Sequence, residues 1–355
     1  MTARMSTSIQ QGSDAAALGS ALAEKASAGL DGKPGLAILY VSSKLDVHAL
    51  LKAVRGTLGD VPLIGATTAG EFTDLQVTSG AAALGLIAGK DDMRFQVVGA
   101  SGLQADPSGT VQKALGSVQA PAGRFPHRSA ILLHDGLSGR GEETVLSAMA
   151  VLGADVPFAG GSAGDDLAMQ KTLVFLNDDV LEDGFVAAVL DSRAPVSVNV
   201  RHGHEPISDV MTVTRAENNV VYEVDGRPAL DVWKQAAKEP AKEFGFEVEK
   251  LSTPTEWIIF FANFEMGLDL GNNEFRVRAP LIKNDDGSLS FACSISQGAK
   301  FRIMKSVKPK QIASAEEAAK LARDGMDGKP IGAALVFECT VRSMILGDDF
   351  PKGVE

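Results

Sequence analysis

The sequence predicts an α/β protein with α+β mixed sheets, in which an internally duplicated N-terminal domain precedes a smaller antiparallel-sheet C-terminal domain. Three observations carry this. The stretch VPLIGATTAGEF at Val61 returns as VPFAGGSAGDDL at Val156. Strand-length apolar runs alternate with helix-period stretches up to His204. Beyond it, alternating runs are separated by Asn-Asn and Asp-Gly turns.

Taken in order, Ser13 to Ala28 carries Ala and Leu at helical spacing, with Ser13-Asp14 as an N-cap and Gly29 and Gly32 as stops. Ala37-Ile38-Leu39 begins a strand, and Lys44 to Leu58 an amphipathic helix that Gly59 and Pro62 end. The first glycine loop follows, then apolar Ala82 to Ala88 and alternating Phe95 to Val98. The second copy repeats the order: Ala130-Ile131-Leu132, a helix from Gly141 to Leu152, and the second loop. A hairpin across Asn177-Asp178-Asp179 comes next, then strands at Phe185 to Leu190 and Val196 to Val200.

In the C-terminal part, Met211 to Thr214 and Val220 to Val224 flank an Asn218-Asn219 turn, and a helix runs from Pro228 toward Ala237. Trp257 to Phe264, Glu274 to Ile282, Leu289 to Ile295 and Lys300 to Met304 read as strands, with Asp285-Asp286-Gly287 as a turn. An Ala-rich helix precedes Asp327-Gly328-Lys329-Pro330, which repeats Asp31-Gly32-Lys33-Pro34 and leads to an apolar strand. This third copy is cut short, so the sequence is expected to be a truncated form of a longer protein. The expected domains are an N-terminal helix (1–30), a duplicated domain (31–220, copies at about 31–105 and 106–205) and a C-terminal domain (221–355).

With 45% hydrophobic residues in a chain of 355, there is enough apolar material for two cores. A net charge of -11 argues against nucleic acid, whose phosphates demand clustered Lys and Arg. Two cysteines make no disulfide framework, and no apolar run approaches the roughly 20 residues of a membrane helix. The expected setting is the cytoplasm, away from membranes.

Several stretches together resemble the FIST family of sensory modules. They are the two glycine loops, His202-Gly203-His204-Glu205-Pro206-Ile207, the passage ending in Asp225-Gly226-Arg227-Pro228-Ala229, and Phe337-Glu338-Cys339-Thr340-Val341-Arg342, taken as a late strand. The resemblance covers nearly the whole chain. It implies a non-enzymatic, cytoplasmic module with an N-terminal and a C-terminal domain. Such a module binds a small molecule, amino acids being proposed ligands, and signals to a histidine kinase, cyclase, chemoreceptor or ubiquitin-ligase component. Some relatives are haem-binding nitric oxide sensors. The chain lacks the aromatic-Gly-Glu segment with which family members continue.

The candidate ligand-binding residues are Gly65, Thr67, Thr68, Gly70 and Glu71 of loop one, Gly160, Gly161, Ser162, Gly164, Asp165 and Asp166 of loop two, and Arg342. Glycines let a ligand approach the backbone, amides and hydroxyls suit a carboxylate, and Glu71 or Asp165 suits an ammonium. Arg342 could pair with a ligand carboxylate or with Glu71. The plain alternative is that the glycines serve turns and packing while the acids cap them. No cofactor is required. A haem alternative uses His202 or His204. A hydrolase alternative uses Ser162 of Gly160-Gly161-Ser162-Ala163-Gly164 with Asp191 and His202 or His204. His134-Asp135, beside Gly136, is a further pocket candidate.

Overall fold

The computed structural model describes residues 4–354 except 75, 90, 91 and 122. The terminal residues Met1 and Glu355 of the expected domain bounds lie outside them. The chain divides into two compact units: residues 1–138, 143–199 and 320–337 form the first, and 139–142, 200–319 and 338–355 the second.

In the first unit the elements run β1 (Arg4–Gln11), α1 (Ala15–Gly29), β2 (Pro34–Ser42), α2 (Val47–Leu58), β3 (Leu63–Thr68), the short pair β4 (Glu71–Phe72) and β5 (Val77–Thr78), and β6 (Ala81–Ala88). There follow β7 (Met93–Ser101), α3 (Pro107–Leu115), β8 (His127–His134), α4 (Gly141–Leu152), whose first two residues belong to the second unit, β9 (Phe158–Ser162), β10 (Val174–Leu176), β11 (Asp179–Leu181) and β12 (Gly184–Ser192). Asp14 caps α1 as the sequence predicts, its carboxylate accepting from Ala16 and Ala17, and Asp46 caps α2 by accepting from Ala49.

The strand orders make the duplication explicit. One sheet runs β1-β6-β2-β3-β10-β11 and the other β7-β12-β8-β9. In both, the first three neighbours pair antiparallel, antiparallel, then parallel. β7 therefore holds in the second sheet the place of β1 in the first, and α3 precedes β8 as α1 precedes β2. The polar strand β1 has no counterpart in the sequence reading, because its alternation is weak and its pairing with β6 supplies the order.

Both sheets are covered on both faces. Ile38, Ile64 and Val174 from one sheet meet Ile131, Leu133 and Val186 from the other in a shared core. The outer faces are covered by α1 and α2 on one sheet, and on the other by residues of α3 and α4. That burial explains why β6 and β12 read as unbroken apolar runs.

In the second unit, β13 (His204–Pro206), β14 (Met211–Glu217), β15 (Val220–Val224) and β16 (Arg227–Pro228) precede α5 (Ala229–Ala237) and α6 (Pro254–Asn263). Then come β17 (Phe264–Gly271), β18 (Glu274–Arg278), β19 (Pro280–Lys283), β20 (Leu289–Phe291), β21 (Lys300–Ser306), α7 (Lys308–Asp324), whose last residues belong to the first unit, and α8 (Thr340–Leu346). Its strands form one antiparallel sheet with the main order β18-β17-β21-β14-β15-β20-β19. Trp233, Phe260, Phe261 and Phe301 fill the core over it.

Several expected strands differ. Trp257 to Asn263 is helix, because Thr253 and Glu256 form a reciprocal capping box around Pro254. That signal outranks an apolar run, which by itself fits a buried helix as well as a strand. Glu274 to Ile282 is split at Pro280 between two neighbours, β18 on β17 and β19 on β20. Val196 to Val200 and Ile331 to Phe337 have no regular structure, and Arg342 lies on α8 with Cys339 as its N-cap.

Candidate functional site

The parallel pairs β2–β3 and β8–β9 deliver their carboxyl ends to the two glycine loops, the position at which open α/β sheets offer a crevice. Gly65 and Gly160 lie within β3 and β9, opposite Leu39 and Leu132. A Cβ on Gly65 would stand 2.2 Å from the Leu39 carbonyl oxygen, and one on Gly160 only 1.8 Å from that of Leu132. These two glycines serve strand packing. Gly161 is different, since the nearest atom to an added Cβ is 3.8 Å away.

The loops meet directly. The Gly164 amide donates to the Thr67 carbonyl at 2.8 Å and that of Asp166 to Thr68 at 3.1 Å. Gly164 allows this approach, as its Cβ would stand 3.1 Å from Ala69 N. Thr67 bonds Leu173 through its amide to the carbonyl (2.9 Å) and through Oγ1 from the amide (3.0 Å).

The three loop acids are engaged by the protein. Glu71, 3% exposed, accepts from Thr68 Oγ1 at 2.5 Å and from the Ala81 amide at 3.1 Å. Burial pushes its pKa up against the effect of these bonds. Asp165 gathers the amides of Met169, Gln170 and Lys171 at 2.6 to 3.0 Å, which fixes the curve of its own loop. Asp166, at φ 53°, accepts from the hydroxyls of Ser42 (2.7 Å) and Ser43 (2.9 Å), with Lys44 Nζ 3.6 Å away. Gly70 turns the chain from β3 into β4. Between the loops lies a recess of about 290 Å³ lined by Ser43, Val47, Thr67, Asp165, Gln170 and Lys171, with Ala168 and Leu173. Thr67 and Asp165 were legible in the sequence as site candidates. Ser43, Gln170 and Lys171 were not, since only the fold of the second loop brings them there.

Ser162 ends β9 and is exposed, with Oγ 3.1 Å from His134 Nε2. His134 is 8% exposed, and its Nδ1 donates to the Asp135 carbonyl at 2.9 Å, which leaves Nε2 to accept from the serine. Burial lowers its pKa, keeping the ring neutral. The triad drawn from the sequence is not assembled. Asp191 pairs with Arg94 and Arg128 at the end of β12 that lies against the start of β8, whereas His134 ends β8. No helix follows Ser162 either.

His202, His204 and Arg342 belong to the second unit. Arg342 donates to Ser314 Oγ (3.1 Å) and the Gln311 carbonyl (2.7 Å) and pairs with Glu338 at 2.8 Å, so its partners are not Glu71 but its own unit. His202 donates through Nε2 to the Phe275 carbonyl (3.2 Å) and accepts through Nδ1 from the His204 amide (3.3 Å). His204 Nε2 stands 3.3 Å from Glu265, both side chains 5% exposed. Gln311 Nε2 lies 3.4 Å from His204 Nδ1, so each ring nitrogen of the two histidines has a protein neighbour, and as arranged they do not fit an axial haem ligand. Among the described residues no group of three His, Cys, Asp or Glu is placed to hold a metal ion.

Burial pushes Glu265 up to about 8 and His204 down to about 3, so at neutral pH the pair is uncharged, with the proton on Glu265. The raised carboxyl stabilises fully below its ordinary value of about 4.3, and that contribution is lost as pH rises toward about 8. The depressed imidazole acts oppositely, its contribution being lost as pH falls from its ordinary value of about 6.5 toward about 3. Glu265→Gln is expected to be more stable than the parent at pH 8 by about 2–4 kcal/mol, the gain shrinking toward pH 6. Urea denaturation at the two pH values checks this.

A 29% identical stretch of 185 residues relates the chain to an uncharacterized protein of Methanocaldococcus jannaschii, covering 49% of this chain and 34% of that one. The chain thus spans about a third of that relative's length. Two cyanuric acid hydrolase structures align loosely. One, from A. caulinodans, has a TM-score of 0.29 at 10% identity over 54% of this chain and 72% of its own. The other has a TM-score of 0.30 at 9% identity over 78% and 85%. Likeness at that level carries no functional argument. Among the described residues no helix is long and apolar enough to cross a membrane. Residues 35–227 match the FIST N domain and 229–355 the FIST C domain, so the chain belongs to the FIST family, whose domains are sensory domains of signal-transduction proteins.

Proposed function

We propose that the chain senses a small polar molecule, an amino acid being the best fit, in the recess between the two glycine loops, and passes occupancy to a signalling partner such as a histidine kinase, cyclase or chemoreceptor. The observation that carries this reading is that loops from both copies of the duplicated unit meet through the Gly164–Thr67 bond of 2.8 Å and together line one recess. Its volume of about 290 Å³ admits a molecule of amino-acid size. Lys171, whose exposed ammonium pairs with Glu182 and would exchange that partner for a ligand carboxylate, supplies the cation, and Ser43, Thr67 and Gln170 supply polar groups. The acids act indirectly in this scheme: Asp165 and Asp166 shape the rim, and Glu71 holds loop one.

A thermal-shift screen of the amino acids tests it, since a ligand at 100 times its Kd adds about 2.7 kcal/mol to stability. Gln170→Ala with Lys171→Ala is expected to weaken binding at least tenfold, with the melting temperature of the free protein nearly unchanged because both side chains are exposed. No stabilisation by any amino acid sinks the ligand class, and unaltered affinity in the double variant sinks the site.

A second reading, Ser162 as a nucleophile, draws on its contact with His134. Labelling by a fluorophosphonate that disappears in Ser162→Ala and His134→Gln would favour it over simple binding.

A further inference from the structure

The duplication leaves one strand position in the first unit without an occupant. The outer edge of β3 is covered by β10, which pairs antiparallel with Val174 opposite Ala66 and Phe175 opposite Gly65. β9, the counterpart of β3, is the last strand of its sheet. Among the described residues no strand lies beside its outer edge. The tripeptide Leu173-Val174-Phe175, which covers β3, occurs again as Leu335-Val336-Phe337.

That second copy already lies next to β9. Leu335 and Phe337 pack against the core between the sheets, and a Phe337 ring carbon is 3.8 Å from where a Cβ on Gly161 would stand. Phe337 also meets Tyr40 edge-on at 6.4 Å, and the buried Tyr40 hydroxyl has no hydrogen-bond partner. Val336 is 56% exposed and Ile331 53%, an unusual state for β-branched residues in an apolar run. The segment nevertheless has no strand pairing.

We propose that the open edge of β9 is a docking surface for the chain's own Leu335-Val336-Phe337, which adds to it as an antiparallel strand in the way β10 adds to β3. Aligning the loops carries Ala66 onto Gly161 and Gly65 onto Gly160, so the docked register sets Val336 opposite Gly161 and Phe337 opposite Gly160. Gly160 has no side chain, so an aromatic ring can lie over it as Phe175 lies over Gly65, where an added Cβ would come within 2.7 Å of the ring. Val336 turns inward toward the inter-sheet core, as Val174 does, and Leu335 and Phe337 turn to the opposite face.

This shift of one residue makes the docked and undocked arrangements discrete rather than graded. It also reaches the site. Leu173 bonds Thr67, and the counterpart of Thr67 is Ser162, so docking brings the Leu335 backbone over Ser162 and closes the solvent side of the Ser162–His134 pair. Residues 338–355, which follow directly, carry α8, so the strand links the state of this edge to the C-terminal helix by chain connectivity.

Cysteine pairs in the full chain, with Cys293→Ser and Cys339→Ser, test the register. Gly161→Cys with Val336→Cys is expected to form an intramolecular disulfide at least tenfold faster than Gly161→Cys with Phe337→Cys. Faster closure of the 337 pair, or a 336 pair that closes only between chains, overturns the proposal. Hydrogen exchange provides a second measurement. Phe337→Pro, which removes the donor that the docked register aims at β9 from the position matching Phe175, is expected to speed exchange at the amides of Gly160 and Ser162 by tenfold or more, with the amides of β2 and β3 unchanged. Equal exchange in parent and variant counts against docking.

Discussion

Gly160→Ala is expected to destabilise the first unit by roughly 2–4 kcal/mol, whereas Gly161→Ala, one residue along, leaves stability nearly unchanged. The contrast follows from the environments of the two positions. An added Cβ at Gly160 would lie 1.8 Å from the Leu132 carbonyl oxygen, backbone at the centre of a buried sheet that cannot move aside. At Gly161 the nearest atom is the far end of the Phe337 side chain, at ordinary contact distance. Gly65→Ala repeats the large effect, because the Leu39 oxygen is 2.2 Å away and the Phe175 ring 2.7 Å. Thermal melts of the three variants check this. A Gly160→Ala protein that melts with the parent and fails only in ligand binding would show that these glycines cradle a ligand and do not serve packing.

Asp191→Ala is expected to cost about 3–5 kcal/mol near neutral pH. The carboxylate is fully buried on the central strand β12, opposite Arg94 of β7 and Arg128 of β8. It accepts from Arg128 Nε at 2.7 Å and from Arg94 Nε at 3.0 Å, and both guanidinium groups also donate to carbonyls, Arg128 to Gln119 and Arg94 to Ala120. Removing the acid leaves two cations without their shared counter-charge, and they are largely buried, with side chains 13% and 26% exposed. Burial raises the Asp191 pKa, but the two arginines lower it more, so the net shift is downward. A depressed carboxyl stabilises above its ordinary value of about 3.9 and loses that contribution as pH falls through the folded value. The gap between parent and variant should therefore be flat from pH 8 to about pH 5 and narrow in stronger acid. Urea denaturation across that range decides it, and a gap that widens in acid contradicts the assignment.

The loops show why sequence reasoning singled out two segments that meet but not what their side chains do. Glycine followed by acid marked both loops, and the structure brings the loops together through the Gly164–Thr67 bond. The carboxylates that a sequence would give to an ammonium are turned inward instead, to Thr68 and Ala81, to three successive amides, and to Ser42 and Ser43. Backbone amides left over by a tight turn compete for the nearest acceptor, and a carboxylate a few residues away is nearer than any ligand. His134 could be noticed only as the end of a strand, since its pairing with Ser162 depends on the parallel register of β8 and β9.

The duplicated α/β pattern, the caps of α1 and α2, the Asn-Asn and Asp-Gly turns and the family resemblance were all determined by sequence alone, because each depends on residues within a few positions of one another or on a repeat visible as text. Tertiary structure alone decided that Arg342 lies on a helix among residues of its own unit, that Gly65 and Gly160 are packing positions, and that β9 keeps an open edge. Those outcomes rest on contacts between segments far apart in the chain, where burial and backbone approach, which no local pattern records, select among conformations of nearly equal local preference.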